Sequence, residues 1–332
     1  MLLNIPASAK YAIIREMTMR DNNRLNLSWL CETACVSRSG YYSYLQNEAK
    51  RQEREEADRK DFLLIVEAYK FRGYDKGAKG IKMRLLHLTP PVNMNLKKIR
   101  RLMKKYRLLC PIRKANPYRR MAKALKTSNV APNLVERQFE AHGPRKVLLT
   151  DITYILYKDS GKCYLSTILD AFTKQILAWV LSDSLEVDFV LETVEILVRD
   201  HGKEITSATI LHSDQGCHYT SYKFIELLKN RELRQSMSRK ANCWDNAPQE
   251  SFFGHMKDEI DSKIKKCSTF EKIMAVIADW MNYYNKDRYI WDLAMLSPDE
   301  YYTYYTTGVY PIPGMKPPKG SLTPACAGNH PT

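Results

Sequence analysis

Three carboxylates set the chemistry open to this sequence. Asp151 interrupts an apolar run, with Val147, Leu148 and Leu149 before it and Ile152 after it. A carboxylate rarely sits among such residues unless it is paired or bound to a metal. Asp214 closes a second apolar run just where Gln215-Gly216 turns the chain, although Asp-Gln-Gly is good turn chemistry by itself. Glu250 falls in the first turn of an expected helix, where the helix dipole favours an acid whatever its role. Each residue alone has an ordinary structural explanation. Together, with no convergent thiol or imidazole set, they select a hard, oxygen-preferring cation, Mg²⁺ or Mn²⁺. Two such ions can activate an attacking oxygen and stabilise the leaving oxygen of an in-line phosphodiester displacement, with no side-chain nucleophile.

The elements that must position the three carboxylates are legible as hydrophobic patterns. Residues 147–157, 162–172 and 174–184 are β-rich runs joined by short turns, Ser160-Gly161 marking the first, and predict an antiparallel meander. A helix is expected over 187–202, a fourth strand over 207–216, a helix over 221–233 and a short fifth strand over 234–240. Residues 246–260 predict a helix with proline in its first turn, and 269–288 a long amphipathic one. The order βββαβαβα is that of a ribonuclease-H-like core, an α/β fold with a mixed five-stranded sheet and flanking helices. Its first and fourth strands are neighbours, so Asp151 and Asp214 converge, and the helix from Asn246 brings Glu250 towards them. On that helix residues 250, 254 and 257 share one face, while Phe252, Phe253, Met256 and Ile260 form the buried one. Lys257 is thereby placed to hold a substrate phosphate; a salt bridge within an acidic helix is the plainer alternative. Gly254 costs about 1 kcal/mol relative to alanine in a helix interior, and fits close backbone approach by a nucleic acid.

The charge of the chain is as uneven as its hydropathy. Net charge is +15 over 332 residues, yet residues 1–140 hold 30 Lys and Arg against 13 Asp and Glu, and residues 141–332 hold 22 against 24. Residues 76–126 carry 17 basic side chains and no acid. Such a run repels itself and favours an anionic partner, DNA before a membrane surface, because no amphipathic anchor accompanies it. Residues 27–46 read as two short helices with a turn near Cys35-Val36, a helix-turn-helix-like segment in which Arg38 opens the second helix. Residues 47–70 predict a connecting helix, and 72–82 a glycine-bearing turn that does not match a nucleotide-binding loop. Asn95 to Arg107 predict a basic helix with Ile99, Leu102, Met103 and Tyr106 on one face, leaving Lys97, Lys98, Arg100, Arg101, Lys104 and Lys105 to face phosphates. The resulting division is 1–46 helix-turn-helix-like, 47–115 basic helical, 116–142 basic linker, 143–265 catalytic core, 266–310 helical extension and 311–332 Pro/Gly-rich tail. No apolar run approaches the ~20 residues of a membrane span, and the N-terminus lacks a secretory pattern, so a cytoplasmic, nucleoid-associated protein is expected. Eight scattered cysteines without a CxxC pair fit reduced thiols, with Cys31 and Cys35 as small apolar residues on one helix face.

Specific stretches go further. TDITYI (150–155), LHSDQGCHYTS (211–221) and SMSRKANCWDNAPQESFFGHMKDEI (236–260) resemble the OrfB-type DDE transposases of the bacterial insertion-sequence-three family. Asp214 and Glu250 are separated by 35 residues, the spacing of that group, and Lys257 follows Glu250 by seven. YYNKDR (283–288) and LSPDEYY (296–302) resemble its C-terminal signature, VSRSGYY (36–42) and RRLMKKYRLL (100–109) its DNA-binding segment. Ala241, where glycine is common, and Tyr289-Ile290-Trp291-Asp292, which lacks the usual Arg-x-His or Arg-x-Gln, depart from the pattern. The resemblance implies a polynucleotidyl transferase related to retroviral integrases, using Mg²⁺ or Mn²⁺ at Asp151, Asp214 and Glu250. It would bind the terminal inverted repeats of its element, expose a 3′-hydroxyl and join that end to target DNA. A homo-oligomer on DNA and an OrfA-type partner, or a frameshift fusion to one, are implied as well. A catalytically decayed DNA-binding regulator and a ribonuclease-H-type nuclease are the competing readings.

Overall fold

Strand-forming sequence begins in earnest at residue 147, and the sheet it builds organises most of the protein. The computed structural model describes residues 5–20, 24–74, 76–110, 130–139, 142–157, 161–239 and 246–318. Most of the expected 116–142 linker, the tail beyond 318, the Ser160 turn position, Ala241, Cys243 and Cys326 lie outside the described residues. Five strands form one sheet: β1 (Val147–Tyr157), β2 (Gly161–Asp170), β3 (Ile176–Ser182), β4 (Ile210–Ser213) and β5 (Arg234–Met237), in the order β3-β2-β1-β4-β5. β1 to β3 pair antiparallel as a meander, and β4 and β5 run parallel to β1. This is the mixed sheet of the ribonuclease-H-like fold, with the first and fourth strands adjacent as expected.

The second unit of the chain, Val66–Thr332, contains this sheet. Alternation along β1 sends Val147, Leu149 and Ile155 to one face and Leu148 to the other. The first group packs under α9 (Ala247–Ile264) and α10 (Phe270–Lys286), through Phe252, Phe253, Met256, Ile277 and Trp280. Leu148 packs with Phe189, Val194, Phe224 and Leu228 from α7 (Asp188–His201) and α8 (Tyr222–Asn230). Among the described residues of this unit, α5 (Ala78–Leu86) and α6 (Leu96–Lys105) lie wholly before the sheet, the latter capped by Asn95. α5 replaces the second half of the turn expected over 72–82. Gly77 serves as the N-cap, and burial of Ile81, Met83, Leu85 and Leu86 outweighs the cost of about 1 kcal/mol for Gly80 inside the helix. α11 (Pro298–Thr307) opens on a Ser297/Glu300 capping box.

The first unit, Met1–Ile65, is helical. α2 (Leu27–Thr33) and α3 (Arg38–Gln46) are the expected pair, capped by Asn26 and Ser37. A helix absent from the sequence reading, α1 (Ala7–Thr18), supplies Ile14 to a small core with Leu30, Cys31 and Tyr41. A Cβ on Gly40 would fall 2.1 Å from the Tyr11 hydroxyl, so glycine is what lets α3 approach α1 so closely. Cys35 is not on a helix face with Cys31: it is exposed in the turn at φ 53°, while Cys31 is buried. α4 (Glu48–Lys70), the expected connecting helix, spans the division between the units. Among the described residues no helix is long and apolar enough to cross a membrane.

Candidate active site

Register brings the two aspartates together. Val147, Leu148 and Leu149 of β1 stand opposite Ile210, Leu211 and His212 of β4. Continuing that parallel register by two residues sets Asp151, midway along β1, opposite Asp214, just past the end of β4. Both share the parity of Leu149 and Ile210, whose side chains enter the core beneath α9, so both open onto the face that α9 covers. Backbone amides hold each carboxylate: Ile152 N–H donates to Asp151 Oδ1 at 2.8 Å, and Gly216 N–H to Asp214 Oδ1 at 2.9 Å. A Cβ on Gly216 would itself lie 2.9 Å from Asp214 Oδ1, inside normal contact, so any side chain there would displace the Asp214 carboxylate. Behind Asp214 the buried His212 imidazole lies 2.8 Å from Ser236 Oγ and 3.2 Å from Ser238 Oγ, tying β4 to the chain of β5.

The electrostatics are those of carboxylates stripped of much of their hydration. Asp151 is pushed up to about 8, first by loss of hydration and then by the charge of Asp214, with Glu250 adding to it. The Ile152 amide and Lys257 oppose the rise. Asp214 is also raised, chiefly because the surrounding protein strips much of its hydration, although one edge stays open to solvent. The Gly216 amide and His218 oppose that rise. Tyr219 lies buried nearby, its hydroxyl 3.4 Å from Thr150 Oγ, and burial plus the two aspartates push its phenol well above the ordinary value.

Glu250 stands farther out. It is exposed in the first turn of α9, and its charge reaches Asp151. Among the described residues no three His, Cys, Asp or Glu side chains come close enough to enclose a metal ion. The structure thus pairs Asp151 with Asp214 and leaves Glu250 at a distance that like charges favour. The donor set nonetheless suits a hard dication: every donor is a carboxylate oxygen, and the burial and repulsion that raise Asp151 are what a cation offsets.

What sequence reasoning missed is how α9 is anchored. Gln249 is fully buried on the helix face it shares with Phe252, Phe253 and Met256, and its Nε2 donates to Thr167 Oγ1. Thr167 is the cross-strand partner of Asp151. The residue beside Glu250 is therefore tied to the residue beside Asp151. A glutamine at a core position of an amphipathic helix was the only signal available. Farther along, buried Glu259 accepts from Trp280 Nε1 at 3.0 Å and from Arg288 Nε at 2.9 Å, which fixes α9 to α10 and the chain just after it. Lys257 turns to the sheet, its ammonium 4.8 Å from the Tyr154 ring of β1. Gly254 faces open space, as the expected helix faces require. The basic residues of α6 form a separate group: Lys97, Arg100, Arg101, Lys104 and Lys105 are exposed and Lys98 half-buried, opposite buried Ile99, Leu102 and Met103. Arg38, in the first unit, is exposed and donates to Ser28 Oγ at 3.1 Å.

Residues 141–243 match the family model described as integrase core domain, and residues 250–304 match a second of the same description. A protein of insertion element IS600 from Shigella sonnei is 30% identical over 270 residues, covering 81% of this chain and 96% of its own length. Transposase InsF of insertion sequence IS3A from Escherichia coli K12 is 27% identical over 282 residues, covering 82% and 92%. The chain belongs to the IS3 family of DDE transposases. A transposase-like protein of Haemophilus influenzae is 34% identical over 219 residues, 65% of this transposase and 96% of that protein. Among solved structures, the catalytic core of HTLV-2 integrase aligns with a TM-score of 0.34 at 15% identity, over 44% of the transposase and 90% of that chain. The aspartates, the α9 glutamate and the β1–β4 register described above all lie within the matched segments.

Proposed function

We propose that Asp151, Asp214 and Glu250 are the catalytic carboxylates and that together they hold divalent cations, Mg²⁺ or Mn²⁺, as a two-ion site. The observation that carries this reading is the pairing of Asp151, within β1, with Asp214, just past the end of the adjacent parallel strand β4, beneath the helix that bears Glu250. A bound cation pair would supply Lewis-acid activation of the attacking oxygen and charge stabilisation of the leaving one. The protein's own part is positional: the Ile152 and Gly216 amides orient the aspartates, and the Gln249–Thr167 bond sets α9. With water as nucleophile the site cleaves a strand at the element end; with the exposed 3′-hydroxyl it joins that end to target DNA.

Lys257 is assigned to a substrate phosphate. Arg38 and the α6 residues Lys97, Lys98, Arg100, Arg101, Lys104 and Lys105 are assigned to the terminal inverted repeats, the basic half of the chain serving as the DNA-binding part and 143–265 as the catalytic part. Assembly as a homo-oligomer on DNA, and use of an OrfA-type partner, belong to the same proposal. The test is incubation of the full chain with labelled element ends and Mg²⁺, beside an Asp214→Asn variant. Joined products lost in the variant support the reading. Binding without nicking marks a regulator, and nicking without joining a nuclease.

A further inference from the structure

The β1–β2 hairpin runs on past the end of β4, which pairs with β1 only as far as Leu149. On this projecting part Tyr154 lies directly across from Tyr164, and Lys162 is the diagonal neighbour of Tyr154. The Lys162 ammonium sits 5.1 Å from the Tyr154 ring and 4.8 Å from the Tyr164 ring. The Lys257 ammonium, arriving from α9, sits 4.8 Å from the same Tyr154 ring. One half-exposed ring therefore collects two ammonium groups from two different elements, three residues along the strand from Asp151. Two cations gathered about one ring repel each other, and at an exposed site the ring quadrupole offsets that repulsion only weakly. A phosphate bridging both would turn the repulsion into attraction.

We propose that Tyr154, Lys162 and Lys257 form a clamp for one DNA phosphate of the strand that enters the carboxylate site, with the Tyr154 ring holding the two ammonium groups in place. This rests on the transposase reading and deepens it, adding Lys162 and Tyr154 to the substrate contacts. The anionic partner is DNA and not another polyanion, because Lys257 bears on both the Tyr154 ring and Asp151, a carboxylate assigned to act on a phosphodiester.

The experiment uses the full chain with an end duplex carrying a methylphosphonate, a neutral phosphate analogue, at one position at a time. At one position neutralisation should weaken wild-type binding about 8-fold at 0.1 M salt, the effect of losing about one released counterion. The same substitution should cost Lys162→Gln almost nothing, while Lys162→Arg should respond as wild type. The salt slope of Lys162→Gln should fall by about 0.9. Tyr154→Phe should bind as wild type and Tyr154→Leu should bind several-fold more weakly at nearly unchanged slope, since the charges remain but their seat is lost. If Lys162→Gln keeps the wild-type slope and no phosphate position loses its effect, the clamp is refuted. Wild-type strand transfer is measured alongside: its absence with the clamp signature intact refutes the transposase reading instead.

Discussion

The Thr167–Gln249 hydrogen bond joins the strand partner of Asp151 to the helix neighbour of Glu250, and both side chains are fully buried. Thr167→Val keeps shape and removes the acceptor. The stranded Gln249 amide then costs about 1–3 kcal/mol, lowering Tm by roughly 2–4 °C per kcal/mol for a unit of this size. The kinetic consequence is separate. The first turn of α9 loses its polar tie to the sheet, and a misplacement of about 1 Å in a reacting group can cost ~10²-fold in rate. Single-turnover strand transfer is therefore expected to fall about 10- to 100-fold. A double variant, Thr167→Val with Gln249→Leu, removes both partners and should regain most of the stability, but not the rate. Calorimetry and single-turnover joining of a preformed protein–DNA complex measure the two effects. A Thr167→Val rate within about twofold of wild type, or a double variant that recovers rate together with stability, refutes the positioning argument.

Gly216→Ala places a methyl group 2.9 Å from Asp214 Oδ1. The carboxylate must move, so joining should drop by at least about 10-fold with little change in Tm, as kinetics and thermal melting will report. Glu259→Gln strands the Arg288 guanidinium between α9 and the end of α10. A loss of about 3–5 kcal/mol is expected for a broken buried pair, read from denaturant unfolding. The raised Asp151 carboxyl gives a third test, in chelator-treated protein. Folding holds a proton there that the unfolded chain releases near pH 4, so wild-type stability should decline as pH climbs from about 4 towards 8 and then level off. Asp151→Asn lacks that decline, and its Tm advantage over wild type should grow across the same window. An unchanged difference between pH 5 and pH 8 would contradict the rise of the Asp151 carboxyl by burial and the nearby Asp214 charge.

The catalytic core was readable in advance because its strands are short apolar runs bounded by turn residues, and its helices carry complete buried faces. Asp151 stood out as a charge inside such a run, and the strand order alone made it a neighbour of Asp214. Elements held by tertiary packing were not readable. α1 packs mainly through Ile14 and Tyr11, and α5 carries Gly80 in its interior because four of its side chains are buried. The Gln249–Thr167 tie and the Tyr154–Lys162–Lys257 group depend on register between segments up to 103 residues apart, such as Tyr154 and Lys257. No local pattern encodes such distances. The stand-off of Glu250 was equally invisible, since sequence places it on the right helix face but says nothing of how far its carboxylate reaches.

That stand-off makes Glu250 the sharpest test of the catalytic trio. Single-turnover strand transfer by Glu250→Gln in Mg²⁺ should fall on the order of 10³-fold or more, the loss of several kcal/mol of transition-state stabilisation. Binding of the labelled end should stay within a few-fold of wild type. A Glu250→Gln protein that joins ends at the wild-type rate would show that two aspartates suffice, and would contradict the account.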